Sequence, residues 1–247
     1  MNIRSYGTGE RIRICEDILS GNVNERRVIL LPIPSSRDGV TVSGTEIPLA
    51  EVLRESECGD VTVGYSLPSE YSDMAKEKGV RVVDLSVDEE FLISNAELTA
   101  HGTVGYILST EKKAPTDLSV GIIGYGRIGK RLLRYLLFFG AHTKVYTGNV
   151  GSRVELCSCG VETALISGAD FTGLDILINT APAQVIQKED VPFLPAGLKI
   201  IDLASGNYLK GAPGLIKLSG IPEAMYPVSS GRLLADAVKR HLEEGSV

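Results

Sequence analysis

One segment decides the fold, Ser119-Val120-Gly121-Ile122-Ile123-Gly124-Tyr125-Gly126-Arg127-Ile128-Gly129. Its first five residues are mostly apolar and predict a short buried strand. The glycines that follow have the spacing G-x-G-x-x-G, which alone is a weak signal. Here, however, a helix is predicted directly after the turn, because apolar residues recur at helical spacing at Ile128, Leu132, Leu133, Leu136 and Leu137. A strand, this turn and a helix in succession are typical of dinucleotide-binding sites.

Each glycine of the turn has its own physical role in such a site. The first allows a tight turn, the second lets the backbone approach a pyrophosphate, and the third lets the helix pack closely on the strand. The free N–H groups at the start of the helix then face the phosphates. We therefore predict that the cofactor is bound by Gly124, Gly126, Arg127, Ile128 and Gly129. The alternative is a glycine turn without a ligand.

The end of the next predicted strand, His142 to Thr147, bears on the choice between NAD and NADP. A site for NAD usually has Asp or Glu there to bind the ribose hydroxyls. This chain instead continues with Gly148 and Asn149, and Arg153 follows shortly after. Hydroxyls and a guanidinium can bind a 2′-phosphate. We therefore predict NADP, with NAD possible, bound by Thr147, Gly148, Asn149 and Arg153. The competing interpretation of Arg153 is a solvated charge at the start of a helix.

Two further buried strands are predicted, and each ends in a loop of small residues. They are Asp175 to Asn179, followed by Thr180-Ala181-Pro182, and Lys199 to Leu203, followed by Ala204-Ser205-Gly206. Open α/β sheets bind ligands outside the carboxyl ends of their strands. We therefore add Thr180, Ala181, Pro182, Ala204 and Ser205 to the predicted cofactor site, with Thr180 and Ser205 beside the nicotinamide. Asn179 and Asp202 can equally serve only to hold loop backbone.

The residues before this region predict a smaller α/β layer. Val28-Ile29-Leu30-Leu31-Pro32 is the first strand that the pattern indicates, and short strands and helices alternate after it. The chain is therefore predicted to be an α/β protein, a Rossmann-type doubly wound parallel sheet with a second, smaller N-terminal α/β domain. The predicted domains are 1–94, the small domain; 95–228, the dinucleotide-binding domain with an interdomain helix over 95–111; and 229–247, a C-terminal helix, capped by Ser229 and Ser230, that returns to the first domain.

Composition narrows the classes of protein. The chain has 247 residues, of which 43% are hydrophobic and 23% charged, so a largely disordered protein is excluded. A net charge of −6 counts against a nucleic-acid binder. Four cysteines form no disulfide framework, and no metal site is predicted at Cys157-Ser158-Cys159. The start of the chain has no apolar signal region, and no long apolar stretch follows, so we expect a cytoplasmic protein without membrane contact.

Several of these segments together resemble a known family. The chain is similar to the A-type component of dipicolinate synthase and, more distantly, to the NAD-binding domain of D-isomer-specific 2-hydroxyacid dehydrogenases. Besides the glycine turn, the resemblance rests on segments 29–32, 98–103, 178–182, 201–205, 220–222 and 227–231. It implies a pyridine-nucleotide-dependent oxidation of a small cyclic dicarboxylate, such as dihydrodipicolinate or its hydrated precursor, during sporulation. It also implies two partners, a second copy of the chain in a homodimer and a flavoprotein-like second subunit.

The chain departs from both families at positions that bear on catalysis. The first family tends to carry an acidic residue where this chain has His101. The 2-hydroxyacid dehydrogenases place an Arg after the strand corresponding to 200–203 and a Glu–His pair further on. Here the loop is Ala204-Ser205-Gly206-Asn207, and 226–231 contains no His. Ordinary 2-hydroxyacid oxidation is therefore not expected, and a divergent enzyme of that kind is only an alternative.

An oxidoreductase acting on an acid needs a cation for the carboxylate and a group that moves a proton. We predict His101, at the start of the interdomain helix, for the proton and Arg37 for the carboxylate. Ser35, Ser36 and Thr99 are predicted to help bind the substrate. A histidine bonded to backbone at a helix start, and a surface turn around Arg37, are the alternatives. If they are right, the chain is a catalytically inactive nucleotide-binding sensor or partner subunit.

Overall fold

The computed structural model describes residues 2–20, 27–187, 189–204, 206, 209 and 211–244. The chain divides into two compact units. The first consists of Met1–Asn95 together with Pro222–Val247, and the second is Ala96–Ile221. The second unit thus ends before the sequence-based boundary at residue 228, and the C-terminal helix belongs to the same unit as the N-terminal residues.

The first unit is built on a parallel sheet of four strands in the order β1-β2-β3-β4. The strands are β1 (Asn2–Ser5), β2 (Arg27–Leu30), β3 (Val61–Gly64) and β4 (Arg81–Asp84). The helices are α1 (Glu10–Leu19), α2 (Leu49–Glu55), α3 (Ser69–Glu77) and, from the end of the chain, α8 (Pro227–Glu244). No strand was expected from the sequence before Val28, and this expectation was wrong. β1 lies at the edge of the sheet and alternates between exposed and half-buried residues, so it has no apolar run.

Helices cover both faces of this sheet because successive strand residues point to opposite sides. Val28 and Leu30 pack in the cluster that includes residues of α1 and α8, whereas Ile29 and Leu31 pack with residues of α2 and α3. At Gly231 of α8, an added Cβ would lie 2.6 Å from a methyl carbon of Ile14 in α1. The glycine therefore allows these two helices to approach closely.

The start of α4 (Glu89–Thr110) is tied to α8 by one buried carboxylate. Asp88 accepts a hydrogen bond from the Phe91 N–H at 3.1 Å. Its other oxygen lies 2.8 Å from a guanidinium nitrogen of Arg240 and 2.9 Å from Nε2 of His241. Burial raises the pKa of Asp88 while these hydrogen bonds lower it, and the net shift is downward. The ionised carboxylate therefore stabilises the folded first unit.

The second unit is a six-stranded parallel sheet in the order β10-β9-β8-β5-β6-β7. Its strands are β5 (Ser119–Ile123), β6 (His142–Tyr146), β7 (Glu162–Ala164), β8 (Ile176–Asn179), β9 (Lys199–Asp202) and β10 (Leu215–Lys217). This order is that of a doubly wound sheet, and the direction of winding reverses between β5 and β8. The predicted Rossmann-type fold is confirmed. The carboxyl ends of β5 and β8 are adjacent, and ligands of such sheets bind outside this point.

Different elements cover the two faces of this sheet. Val120 and Ile122 pack in a cluster with residues of α4, α5 (Arg127–Phe138) and α6 (Val150–Ser158). On the other face, Ile123 and Leu177 pack against the connections that follow β7, β8 and β9. The short helix α7 (Ile221–Met225) follows β10. In the part of the chain that the structure describes, no helix is both long and apolar enough to cross a bilayer.

Two predicted helix starts were wrong. The helix expected over 95–111 begins at Glu89, so His101 lies inside α4 and not at its first turn. The C-terminal helix begins at Pro227, and Ser229 and Ser230 lie within it instead of capping it. Proline is favoured in the first turn of a helix because that turn does not need its missing N–H.

Candidate functional site

The glycine turn connects β5 to α5 with the geometry that each glycine was predicted to supply. Gly124 has φ +94°, a left-handed conformation that favours glycine. At Gly129, an added Cβ would lie 2.3 Å from the Gly124 carbonyl oxygen, so the helix packs directly on the turn. At Gly126, the N-cap of α5, no atom of the described residues other than its chain neighbours lies within 4 Å of the Cβ position. Among the described residues, the second glycine therefore leaves space in front of the N–H groups of the first helical turn.

The side chains around the turn hold it in place. The Thr180 backbone N–H and hydroxyl both donate to the Ile123 carbonyl, at 2.9 and 2.8 Å. The same hydroxyl would lie 2.6 Å from a Cβ at Gly124. Thr180, at the end of β8, is thus directly beside the first glycine. Arg127 is exposed at the start of α5, and Ile128 packs against the core below it.

The end of β6 forms the second part of the candidate site. Asn149 caps α6, because its side-chain oxygen accepts a hydrogen bond from the Ser152 N–H at 2.8 Å. Thr147 is buried, and its hydroxyl accepts the Asn149 N–H at 3.3 Å. Arg153 is half-buried, and its Nε has no hydrogen-bond partner among the described residues. A guanidinium with an unused buried donor is suited to bind an anion.

The ends of β8, β9 and β10 share a polar network. The Asn179 amide donates to Asp202 Oδ1 at 2.9 Å, and the Ala181 N–H donates to the Asn179 side-chain oxygen at 3.1 Å. Asp202 is only 1% exposed and also accepts the Ala204 N–H at 3.1 Å. Asn179 and Asp202 therefore hold the backbone of both loops. Ser205 lies outside the described residues.

Lys217 completes this network, and its role was not predicted from the sequence. Its ammonium group lies 2.8 Å from Asp202 Oδ2 and donates to the carbonyl oxygens of Ala204 and Gly206. It thus neutralises a buried carboxylate and ties down the loop after β9. The available signal was Lys217 at the end of a short apolar strand. That strand follows one that ends at Asp202, and the two strands pair in the sheet.

The predicted proton-transfer residue has a different setting from the one expected. His101 Nε2 lies 2.8 Å from the hydroxyl of Tyr135, a residue of α5. Tyr135 in turn donates to Glu97, which also pairs with Arg131 at 2.8 Å and with Arg134 at 2.5 Å. The imidazole is therefore not bonded to backbone at a helix start, as the alternative proposed.

The position of Tyr135 also fixes how far His101 is from the glycine turn along α5. Tyr135 follows Arg127 by eight residues, which is about 12 Å along the helix axis. The His101 side chain is 44% exposed and belongs to an ion cluster on the α4–α5 surface. His101 thus belongs to a side-chain network between α4 and α5, and its role in proton transfer stays a prediction. Thr99, two residues before His101, is buried, and its carbonyl accepts the Thr103 hydroxyl at 2.8 Å.

The loop after β2 contains the predicted substrate cation. Arg37 is exposed in this loop. Ser35 is buried, and its hydroxyl donates to the Pro32 carbonyl at 3.1 Å and accepts the Tyr65 N–H at 2.7 Å. The Ser36 hydroxyl donates to Asp38 at 2.9 Å. Both serines therefore shape the loop that carries Arg37, and their roles in binding substrate stay predictions.

The described residues contain no group of three or more His, Cys, Asp or Glu side chains that could hold a metal ion.

Hydrogen bonds from backbone and hydroxyl groups of Thr41, Val40 and Ser36 lower the pKa of Asp38. Asp38 thereby organises the exposed part of its loop as an ionised acceptor.

Comparison with known proteins supports the fold. No family model and no curated protein match the chain. The A-type component of dipicolinate synthase from Bacillus halodurans is similar in structure, with a TM-score of 0.80 and 21% identity over 98% of this chain and 97% of that one. The corresponding component of dipicolinate synthase from Bacillus subtilis has a TM-score of 0.79 and 19% identity over 99% and 96%.

A third structure extends the likeness to dehydrogenases. The D-isomer specific 2-hydroxyacid dehydrogenase from Lactobacillus delbrueckii ssp. bulgaricus, in its NAD-complexed form, has a TM-score of 0.55 and 13% identity over 99% of this chain and 97% of that one. At these identities the likeness establishes the fold. The chain thus has a two-unit α/β fold that occurs in dipicolinate synthase and in dehydrogenases.

Proposed function

We propose that the protein is an NAD(P)-dependent oxidoreductase that acts on a small cyclic dicarboxylate, such as dihydrodipicolinate or its hydrated precursor. The observation that carries this proposal is the space that the described residues leave at Gly126, on the N-cap of α5. A pyrophosphate needs both that space and the free N–H groups of the first helical turn. The names of the two dipicolinate synthase structures support the choice of substrate.

NADP is the proposed cofactor, with NAD as the alternative. The support is the end of β6. The segment 146–153 contains no Asp or Glu, and Arg153 has a buried Nε without a partner among the described residues. A 2′-phosphate would give that guanidinium a counter-charge. Gly148, Asn149, Ala181, Pro182, Ala204 and Ser205 belong to the same proposed site, since they follow the carboxyl ends of the strands.

The residues of the chain have three tasks in the proposed reaction. When bound, the nicotinamide supplies the acceptor for a hydride from the dihydropyridine ring, and the ring also loses one proton. The N–H groups at the start of α5 bind the pyrophosphate. Arg37 binds a substrate carboxylate, and the network of Asn179, Asp202 and Lys217 holds the loops beside the nicotinamide. The proton leaves to a base or to water, for which His101 is the candidate from the sequence.

Two partners belong to the proposal through the resemblance alone. One is a second copy of this chain, and the other is a flavoprotein-like subunit. Both can be tested by measuring the mass of the purified protein in solution, with and without that subunit.

The function is tested first by binding and then by turnover. NADPH and NADH are titrated separately, with nicotinamide fluorescence as the readout. Dihydrodipicolinate and NADP are then mixed with the protein, and NADPH formation is followed by absorbance. We expect saturable NADPH binding and substrate-dependent reduction of NADP. Absence of nucleotide binding would refute the proposal, and tighter binding of NADH would refute only the preference for NADP.

A second candidate function is favoured by the position of His101. Because its imidazole is bonded to Tyr135 in the ion cluster, the chain can be a nucleotide-binding sensor or partner subunit without catalysis. His101→Ala separates the two. Turnover that depends on His101 supports the enzyme with this residue as the proton carrier. Binding of NADPH without any turnover, in both the parent and the variant, supports the sensor.

A further inference from the structure

A buried arginine in the first unit forms no ion pair with the described residues. Arg11 lies in the first turn of α1 and is 4% exposed. Its Nε has no hydrogen-bond partner in the described part of the chain, and its terminal nitrogen makes one long contact, 3.5 Å, to the Asn95 side-chain oxygen. A buried cation without an ion pair is costly, since it has lost its hydration without a compensating charge. Such a group points to an anion that the chain itself does not supply.

The start of α1 is shaped to receive a carboxylate. The residue at the N-cap is Gly9, and an added Cβ there would lie 2.1 Å from Glu223 Oε1. That oxygen accepts the backbone N–H of Arg11 at 3.3 Å. The missing side chain at Gly9 thus leaves a space that a carboxylate oxygen fills. The first turn of a helix is also favourable for negative charge.

Glu223 only partly compensates Arg11. Burial lowers the pKa of Arg11, and the Glu223 carboxylate acts in the opposite direction without cancelling the shift. No ion pair joins Arg11 to a carboxylate of the described residues. The guanidinium therefore keeps donors available while a neighbouring carboxylate occupies the helix start.

We propose that Arg11 binds a carboxylate of a small organic acid, and that Glu223 competes with this ligand for the start of α1. β1 and β2 are adjacent parallel strands, so α1 and the Arg37 loop both begin at the same edge of the sheet. Arg11 and Arg37 thus both follow the carboxyl ends of neighbouring strands. The choice of a dicarboxylate rests on the proposed function, whereas the anion site at Arg11 does not.

The test is calorimetric titration of the full chain with pyridine-2,6-dicarboxylate, without nucleotide. We expect saturable binding that Arg11→Met weakens by roughly 30-fold or more, as for loss of one partner of a buried charge pair. Arg13→Met is the matched control on the same helix. Arg13 is 68% exposed and pairs with Glu10 at 3.2 Å, so its replacement should leave the affinity unchanged.

Thermal unfolding separates a binding role from a structural one. Because Arg11 is a buried cation without an ion pair in the described chain, Arg11→Met should unfold at the same or a higher temperature than the parent chain. A lower unfolding temperature with unchanged affinity would overturn the proposal. Arg11→Lys keeps the positive charge but loses the planar guanidinium that binds a carboxylate through two donors, so it should also weaken binding. This variant replaces Arg11→Met in the test if the methionine variant does not fold.

Glu223→Gln removes the competing charge and should strengthen binding several-fold. Unchanged or weaker binding in this variant would overturn the competition. If the parent chain shows no saturable binding, or if inorganic phosphate binds equally well with the same dependence on Arg11, the carboxylate site is refuted. A separate NADPH titration tests the proposed function independently of the Arg11 site. If NADPH does not bind, the proposed function fails, but the result for Arg11 can still be interpreted.

Discussion

Alanine at two glycines of the same turn should have two different effects, a loss of stability at Gly129 and a loss of cofactor binding at Gly126. Gly129→Ala places a methyl group 2.3 Å from the Gly124 carbonyl oxygen, well inside the 3.4 Å at which ordinary contact begins. Both groups belong to the backbone of packed elements, so relief requires α5 to move away from β5. Overpacking of this kind costs about 1–3 kcal/mol, and we expect about 3 kcal/mol because no flexible side chain can yield.

Gly126→Ala should leave the fold intact but impair the site. The residue has φ −86°, which alanine adopts readily, and apart from its chain neighbours its Cβ would meet no atom of the described part of the chain within 4 Å. Alanine is a poorer N-cap than glycine by about 1 kcal/mol, and it gains about 0.4–1 kcal/mol by restricting the unfolded chain. The net change in the free energy of unfolding should therefore be within about 0.5 kcal/mol. The new methyl group nevertheless occupies the space that a pyrophosphate needs.

Two measurements test this pair of variants. Urea unfolding, followed by circular dichroism, gives the free energy of unfolding, and nicotinamide fluorescence gives the affinity for NADPH. We expect Gly126→Ala to bind NADPH at least about tenfold more weakly, a loss of about 1.4 kcal/mol, with an unchanged unfolding midpoint. Unaltered NADPH affinity in Gly126→Ala would refute the pyrophosphate site. An unchanged midpoint in Gly129→Ala would refute the tight packing of α5 on the turn.

Three other predictions follow from single side chains. Lys217→Met removes the cation from buried Asp202 and should lower the free energy of unfolding, measured by urea unfolding, by about 1–3 kcal/mol. This loss is smaller than that expected for breaking a fully buried ion pair, because the Lys217 side chain is 30% exposed. The folded-state pKa of Asp88 is depressed, so its stabilisation is present above the ordinary aspartate value near 3.9 and is lost as the pH falls below it. Asp88→Asn should therefore reduce the unfolding midpoint at neutral pH but progressively less in acid, and an equal loss at both would contradict the shift. Arg153→Met should weaken NADPH binding by roughly tenfold and leave NADH binding unchanged, and parallel titrations of both nucleotides decide this.

The parts of the fold that local pattern encodes were predictable. The glycine turn needs a positive φ at Gly124 and close packing at Gly129, and both requirements are visible in a run of a few residues. The apolar runs that form β2, β5, β8 and β9 are buried on both faces, so they stand out in the sequence. β1 was not predictable in this way, because an edge strand with alternating exposure has no such run.

Positions that depend on long-range contacts were not predictable. The helix containing His101 was expected to begin several residues later, because its true start is set by the Asp88 cap and the contacts of that carboxylate with Arg240 and His241. The link from His101 to Tyr135 joins two helices through residues that are 34 positions apart in the chain. No spacing rule connects these residues.

The sequence by itself determined that this is a doubly wound α/β protein with a glycine turn suited to a dinucleotide, because periodicity and glycine conformation act over a few neighbouring residues. Only the tertiary structure decided how the polar side chains are used. Asp202 meets Lys217 from the next strand of the sheet, and Arg11 is buried beside Glu223 from the far end of the chain, without an ion pair among the described residues. Burial and the identity of a charged partner depend on which segments pack together, and they decide whether a charge stabilises the fold or remains available for a ligand.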